Sequence, residues 1–289
     1  MSSKSKNRPW RLLVQILFFA LVALIVVNHY LAESGRGIAF LSSASLHAVC
    51  PFGGAASIYQ YFVVGTFAKK IHESSFILMY LVLFLTILFG PIFCGWVCPL
   101  GSFQEWIGKI GKKLFEKKYN RMIPKTLDKY LRYGRYLVLA WVIYATAMTG
   151  KLAFEEVDPY FALFQFWTGE VAVTAFIILA LTIAASLFAE RPWCKYTCPY
   201  GAVLSITSLI RLFRIERNSS SCIDCKACDT ACPMNIELSG MNAVRNSQCI
   251  TCMQCTSEEN CPVNETVSLS LPGRTNKPVN LSIQRGEIS

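Results

Sequence analysis

Cysteines in the C-terminal third carry the clearest chemistry in this 289-residue sequence. Two strings follow each other, Cys222-x2-Cys225-x2-Cys228-x3-Cys232-Pro233 and Cys249-x2-Cys252-x2-Cys255-x5-Cys261-Pro262. The first has the spacing that binds [4Fe–4S] clusters in two-cluster iron–sulfur proteins, where three close thiolates hold one cluster and the fourth reaches its neighbour. The pattern therefore predicts two clusters, one held by Cys222, Cys225, Cys228 and Cys261, the other by Cys249, Cys252, Cys255 and Cys232.

Two structural zinc sites are the alternative, because zinc sites also use CxxC pairs. Zinc usually separates its pairs by a dozen or more residues, whereas three cysteines at steps of three followed by Cys-Pro favour a cluster. The second string departs from the spacing by two extra residues within 256–260, so the assignment of Cys261 is less direct. Part of the apolar coat that excludes water is predicted to come from Ile223, Ile236, Ile250 and Val263.

A different cysteine motif occurs twice, as Cys94-Gly-Trp-Val-Cys98-Pro99-Leu-Gly101 and Cys194-Lys-Tyr-Thr-Cys198-Pro199-Tyr-Gly201. Proline suits the first turn of a helix, so Cys98 and Cys198 are predicted at helix N-caps, where the helix dipole favours a thiolate. A repeat of this kind predicts a pseudo-twofold axis along the membrane normal, which would bring the four cysteines together. They are predicted to hold a third cluster or another metal, to form redox-active thiols, or to be small buried residues at a turn.

The composition indicates a membrane protein, because 53% of the residues are hydrophobic and only 16% are charged. Four apolar runs are predicted to cross the membrane, namely residues 12–27, 76–93, 136–150 and 171–189. The first is favoured as an uncleaved helix over a signal peptide, because its core is longer than usual for a signal. Residues 37–68 lack charge but are broken by proline and glycine, which favours a re-entrant or interfacial hairpin.

The distribution of the formal charge of +10 predicts the orientation. Residues 94–135 hold ten Lys or Arg against three acids, whereas residues 151–170 hold one Lys against four acids. The positive-inside rule therefore puts the N-terminus, the Cys94 loop and everything after residue 189 in the cytoplasm of a prokaryotic cell. Residues 101–119 and 201–214 are predicted to be amphipathic helices on the cytoplasmic surface. Such blocks of charge do not favour a nucleic-acid partner.

Other metal-binding residue types are few. The three histidines, His29, His47 and His72, are predicted on or near the outer side, and a bis-histidine haem would need two facing residues at matching depth. Haem is therefore not favoured. A partial third copy of the proline motif begins at Cys50, and it is favoured as a packing turn over a site.

The predicted fold is mostly α-helical, with about four transmembrane helices in two pseudo-symmetric halves and a small α+β unit that binds two [4Fe–4S] clusters. The predicted domains are a transmembrane domain over residues 1–215, with its repeats over 12–120 and 131–215, a ferredoxin-like domain over 216–270, and a polar tail over 271–289.

The two CxxxCP motifs followed by two ferredoxin strings resemble the NapH-type and NosR-type membrane-bound polyferredoxins, and more distantly the CcoG type, over residues 12–267. The resemblance implies electron exchange between the quinone pool or a cytoplasmic donor and an extracytoplasmic reductase, flavin or cytochrome partner, in the manner of a quinol oxidase or quinone reductase subunit. Aromatic outer residues such as 160–167 would offer quinone contacts. The alternatives are a copper-handling assembly factor of the CcoG kind and a redox sensor.

Overall fold

A computed structural model describes residues 7–33, 73–120, 122–149, 154–167, 171–263 and 266–271. Within these ranges the chain is mostly helical, as predicted, and it contains one two-stranded sheet. The helices are α1 (Asn7–Glu33), α2 (Glu73–Phe89), α3 (Pro99–Phe115), α4 (Lys125–Leu131), α5 (Gly134–Thr149), α6 (Pro159–Phe164), α7 (Val173–Ser186), α8 (Pro192–Tyr196), α9 (Pro199–Thr207) and α10 (Ala227–Thr230). The strands are β1 (Arg214–Arg217) and β2 (Val267–Ser270).

Helices lie at all four predicted apolar runs, but they differ in length. Among the described residues, Pro9–Ala32 within α1 is the one stretch long and apolar enough to cross a membrane by length and composition. The helices α2, α5 and α7 contain 17, 16 and 14 residues. The predicted four spans therefore stay a prediction. Each of these helices has a largely exposed apolar face, which includes Leu24, Ile77, Leu137 and Val173.

The helices pack around two small apolar cores. Val82 of α2, Leu100 of α3, Val142 of α5 and Leu204 of α9 meet in one of them, together with Trp193. In the other, Val22 and Val26 of α1 pack against Phe161 and Phe164 of α6. The aromatic segment over residues 160–167, which the sequence predicts on the outer side, therefore packs partly against α1.

The two CxxxCPxG motifs adopt similar backbones. Cys98 and Cys198 are the N-caps of α3 and α9, with proline in the first turn, which confirms that prediction. The amide nitrogen of each N-cap cysteine donates to a carbonyl oxygen five residues earlier, at 2.9 Å in both copies. The preceding segment is a π-helical turn, Phe93–Val97, in the first copy and the short helix α8 in the second.

The two helices that follow these motifs differ more than the sequence predicts. The first, α3, runs to Phe115, close to the predicted end. The prediction of a helix over 201–214 is wrong in its second half, because α9 ends at Thr207 and a 3-10 turn follows. The amides of Leu212 and Phe213 instead donate to carbonyl oxygens at the end of α2, and this extended backbone leads directly into β1.

The C-terminal unit is closed by the antiparallel pairing of β1 with β2, in which Arg214 lies opposite Ser270 and Arg217 opposite Val267. Its core contains Ile215, Met234, Ile236, Leu238, Val244 and Val267. The sheet begins at Arg214, so it includes the last two residues of the predicted transmembrane domain as well as the predicted ferredoxin-like domain.

Candidate iron–sulfur sites

The first tail group consists of Cys222, Cys225, Cys228 and Cys261, and these four side chains line one cavity. Cys261 interacts electrostatically with Cys222 and Cys225, and Cys228 interacts with Cys261. Burial and the neighbouring Asp229 raise the pKa of the Cys228 thiol to about 11. The guanidinium of Arg217 donates to the Cys222 sulfur at 3.2 Å. The structure thus brings Cys261 to the first string despite the extra residues before it.

The second tail group consists of Cys232, Cys249, Cys252 and Cys255. Cys255 interacts electrostatically with the other three, and Cys232 interacts with Cys249 and Cys252. Burial and the neighbouring Cys252 raise the pKa of the Cys232 thiol to about 12. The amide of Ile236 donates to the Cys232 sulfur at 3.4 Å. Each group therefore takes its last cysteine from the other string, which is the crossed arrangement expected from the spacing.

The loops between these cysteines share an unusual backbone. Asp224 and Lys226 in the first string, and Thr251 and Met253 in the second, have positive φ angles between 48° and 59°. These four residues occupy equivalent positions in the two strings, each between consecutive cysteines. Alternation of right-handed and left-handed residues turns successive amides into a concavity, and such concavities accept anions at many iron–sulfur sites. The backbone of both strings therefore fits an anionic cluster.

The four residues of the predicted apolar coat lie in two environments. Ile236 and Ile250 are buried in the core of the C-terminal unit, as expected, and Val263 lines the cavity of the first tail group. Ile223 also lines that cavity but is 63% exposed, so it lies between the first tail group and solvent. Residues 223–226 are all exposed. One edge of the first tail group therefore faces outward because its loop lies at the surface.

The CxxxC site consists of Cys94, Cys98, Cys194 and Cys198. Cys198 interacts electrostatically with the other three, and Cys94 interacts with Cys98 and Cys194. Burial raises the pKa of the Cys94, Cys194 and Cys198 thiols. Gln104 donates to the Cys194 sulfur at 3.5 Å, and the amide of Gly201 donates to the Cys198 sulfur at 3.3 Å. The structure thus brings together the four cysteines that the repeat predicts to meet.

Two guanidinium groups lie near this site. The positive charges of Arg191 and Arg135 both act on Cys94 and Cys194. Among the described residues, the buried Nε atoms of both arginines have no hydrogen-bond partner. Four half-buried thiols beside two buried cations form an arrangement that accommodates negative charge on sulfur.

A buried ionic network supports Arg191. Glu105 Oε2 lies 2.6 Å from Arg191 and 2.5 Å from Arg11, and it also accepts from Gln15 at 3.3 Å. Burial alone would raise the pKa of Glu105, but the charges of Arg191 and then Arg11 outweigh it and hold that pKa below its usual value. Sequence reasoning missed these residues, because Glu105 reads as one more polar residue of an amphipathic helix. The sequence did contain one indication that Glu105 is buried: it lies one turn after Cys98-Pro99-Leu100-Gly101, on the buried face of α3.

A second buried ionic network anchors the second CxxxCPxG motif, which begins at Cys194. Lys195, which lies between Cys194 and Cys198, is 1% exposed at its side chain, and its Nζ lies 2.8 Å from Asp128 of α4. Tyr196 donates its hydroxyl to the same carboxylate at 2.5 Å, and Arg132 pairs with it as well. This network was also missed, because Asp128 is separated from the motif by more than sixty residues.

The CxxxC site touches the C-terminal unit directly. Trp96 donates its indole N–H to the Thr251 carbonyl at 3.1 Å, and the Thr251 hydroxyl donates to the Phe89 carbonyl at 2.8 Å. A Cβ on Gly95 would lie 2.5 Å from the Ile250 carbonyl oxygen and 3.3 Å from the Cys252 Cα, so only glycine fits here. Cys94 itself packs against the cores of both parts of the chain.

Some predicted positions lie outside the described residues. These are Cys50, His47 and His72, the predicted hairpin over 37–68 and the polar tail beyond residue 271. The backbone of His29 lies in α1. Within the described ranges, no three His, Cys, Asp or Glu side chains converge closely enough to hold a single metal ion.

The amino-acid sequence matches one family model twice. This model, described as a 4Fe-4S binding domain, covers residues 71–118 and 171–218, and each match contains one CxxxCPxG motif. The two matched ranges are offset by 100 residues, as the two motifs are.

Among proteins of known sequence, YccM of Escherichia coli, named for a proposed role in electron transport, is 30% identical over 273 residues. That alignment covers 91% of this chain and 75% of YccM. The ferredoxin-type protein NapH of Haemophilus influenzae is 30% identical over 61% of each chain. The regulatory protein NosR of Stutzerimonas stutzeri is 27% identical over 59% of this chain and 24% of its own length. No solved structure is significantly similar.

Proposed function

The chain belongs to the NapH/NosR-type family of ferredoxin-type 4Fe-4S proteins, and from this membership we propose that it is a membrane-bound electron-transfer protein. Its proposed role is to pass electrons between the quinone pool, or a cytoplasmic donor, and an extracytoplasmic redox partner. The observation that carries the proposal is the convergence of twelve cysteines into three groups of four. Two of these groups, the CxxxC site and the second tail group, are in direct contact through Gly95 and Trp96.

In this proposal each tail group holds one [4Fe–4S] cluster, which when bound accepts and releases single electrons. The left-handed residues of both strings support this, because their amides form anion-binding concavities. Donation from Arg217 to Cys222 and from the Ile236 amide to Cys232 would stabilise negative charge on those sulfurs. The domain proposed to hold both clusters extends from β1 to β2, close to the predicted residues 216–270.

We further infer that the CxxxC site holds a third cluster, with one thiolate pair from each repeat. An oxidised [4Fe–4S] cluster with four thiolates has a net charge of about −2, which the two guanidinium groups of Arg135 and Arg191 would balance. The matches of the 4Fe-4S family model to the two repeats, rather than to the tail strings, also support this assignment. Redox-active thiols at the same four positions are the second candidate, because the CxxxC pairs could cycle between dithiol and disulfide.

The proposed location is the prokaryotic inner membrane, with four spans and with the N-terminus and both tail groups in the cytoplasm. The length and apolar character of α1 support membrane insertion, as do the exposed apolar faces of α2, α5 and α7. The basic residues over 94–135 support the orientation. A reporter fused after Ser289 tests the orientation, and export of this reporter would contradict it.

Iron content tests the cluster assignments. Anaerobically purified protein should contain about twelve iron atoms, four for each [4Fe–4S] cluster. Cys94→Ser should lower the content to about eight and leave the tail clusters intact. Cys50→Ser is the matched control and should leave the content unchanged. Iron near eight with four titratable thiols would refute the third cluster and favour the dithiol reading, whereas iron well below eight would refute the proposed function as a whole.

A further inference from the structure

The junction between the CxxxC site and the second tail group is close-packed and charged. Gly95 lies against Ile250 and Cys252, and Trp96 is hydrogen-bonded to the intervening Thr251. At the position equivalent to Gly95, the second repeat has Lys195, which pairs with Asp128 instead. The contact is therefore made by the first repeat, and the glycine is the feature that permits it.

Arg191 lies in this junction and is completely buried. One of its terminal nitrogens donates to the Cys94 carbonyl, and the other pairs with Glu105 at 2.6 Å. A Cβ on Gly101 would lie 2.9 Å from this guanidinium, so the CPxG glycine makes room for it. The residue adopts a left-handed backbone, with φ and ψ both 52°, which is costly for a non-glycine residue. Such a conformation persists only where surrounding contacts impose it, and here these contacts fix the position of the charge.

The charge of Arg191 acts on cysteines of both sites. It interacts with Cys94 and Cys194 of the CxxxC site and with Cys252 of the second tail group. Arg11 adds to the positive charge on the Cys252 side, where its Nε donates to the Gly95 carbonyl at 3.2 Å. Glu105 offsets one of these two guanidinium charges. Glu190 also interacts with both arginines, and burial and the charge of Glu105 raise its pKa to about 7. Below that pH the junction therefore keeps a net positive charge between two groups of thiolates.

We propose that Arg191 is a positioning residue whose single buried charge raises the reduction potentials of the CxxxC site and the second tail group together. Addition of one electron makes either site more negative, and a fixed neighbouring cation stabilises that reduced form. The inference rests on the proposed function, because it presupposes a redox centre in each group. The first tail group has its own cation, Arg217, which contacts Cys222 and not the junction.

The experiment is a potentiometric titration of anaerobic, detergent-solubilised full-length protein, in which electron paramagnetic resonance follows each centre separately. Arg191→Gln should lower the midpoint potentials of both the CxxxC site and the second tail group, while that of the first tail group stays unchanged. We expect a change of about tenfold in each reduction equilibrium constant, or ~59 mV for a one-electron couple. The matched control, Arg217→Gln, should lower only the potential of the first tail group.

Glu105→Gln tests the same proposal through a shift of the potentials in the opposite direction. If Arg191→Gln does not fold, this variant alone provides the test. Removal of the carboxylate leaves more positive charge in the junction, so both potentials should rise together. A shift at only one of the two sites, an equal shift at the first tail group, or no shift in either variant would overturn the proposal. Wild-type protein without iron–sulfur resonances would instead refute the proposed function, and the two failures are thus distinct.

Discussion

Replacement of Glu105 by glutamine should destabilise the protein strongly, because this carboxylate pairs with two buried guanidinium groups. The side chains of Glu105, Arg11 and Arg191 are 5%, 8% and 0% exposed, so neither arginine can recover its hydration when the carboxylate is lost. Removal of one partner from a buried ion pair costs about 3–5 kcal/mol. For a chain of this size, that loss corresponds to a decrease in Tm on the order of 10 °C.

The assay is thermal unfolding of the anaerobic protein in detergent, followed by circular dichroism at pH 7. Glu116→Gln is the matched control, because Glu116 is exposed and surface substitutions usually change stability by no more than about 0.5 kcal/mol. The pH dependence supplies a second check. Because the pKa of Glu105 is lowered in the folded state, its contribution is fully present above about 4.5, the usual value for a glutamate, and is lost as the pH falls below it.

The difference in stability between wild type and Glu105→Gln should therefore shrink in acid. A decrease in Tm of less than about 3 °C at pH 7 would refute the reasoning, because it would mean that the two arginines are solvated or paired elsewhere. A decrease that does not depend on pH would refute the assignment of the effect to the ionised carboxylate.

Three further changes test other parts of the structure. Gly111→Ala should lower the free energy of unfolding by about 1–3 kcal/mol, because the added Cβ would clash with the backbone of Leu187. In the same assay Gly240→Ala should be nearly neutral, because a Cβ there would meet no atom within 4 Å. Burial and the nearby carboxylate of Glu105 raise the pKa of Glu190 to about 7. Between about pH 4.5 and 7 the unfolded chain loses this proton while the folded protein keeps it, so the free energy of unfolding of the wild type should fall by about 3 kcal/mol over that range. Glu190→Gln should abolish this pH dependence in chemical denaturation. Cys225→Ser should remove the resonance of the first tail group while that of the second persists; loss of both would contradict two separate clusters.

The two tail strings and the two CxxxCPxG motifs could be recognised in the sequence because the spacing of their cysteines is local. Cys98-Pro and Cys198-Pro specify helix N-caps through the restricted backbone of proline, and the structure confirms both. The crossed grouping of the tail cysteines was expected from the two-cluster spacing, in which the fourth cysteine of a string reaches the neighbouring group. The long apolar helix α1 could also be predicted, because a continuous run of apolar residues is visible in the sequence itself.

Other features depend on residues that are distant in sequence. The length of the helix after Cys198 could not be predicted, because the pairing of residues 212–213 with the end of α2 competes with further helix. The exposure of Ile223 depends on which side of its loop the rest of the domain covers.

Local patterns therefore determined the candidate cluster ligands, the capped helices and the apolar segments, because spacing, proline and hydropathy act over a few residues. Only the tertiary structure decided that Glu105 is buried between Arg11 and Arg191, and that Gly95 lies against Cys252. In the sequence, Glu105 and Arg191 are an ordinary surface acid and an ordinary loop base. Their roles arise because folding removes them from water together, and the energy of a charge depends on what surrounds it rather than on its neighbours in the chain.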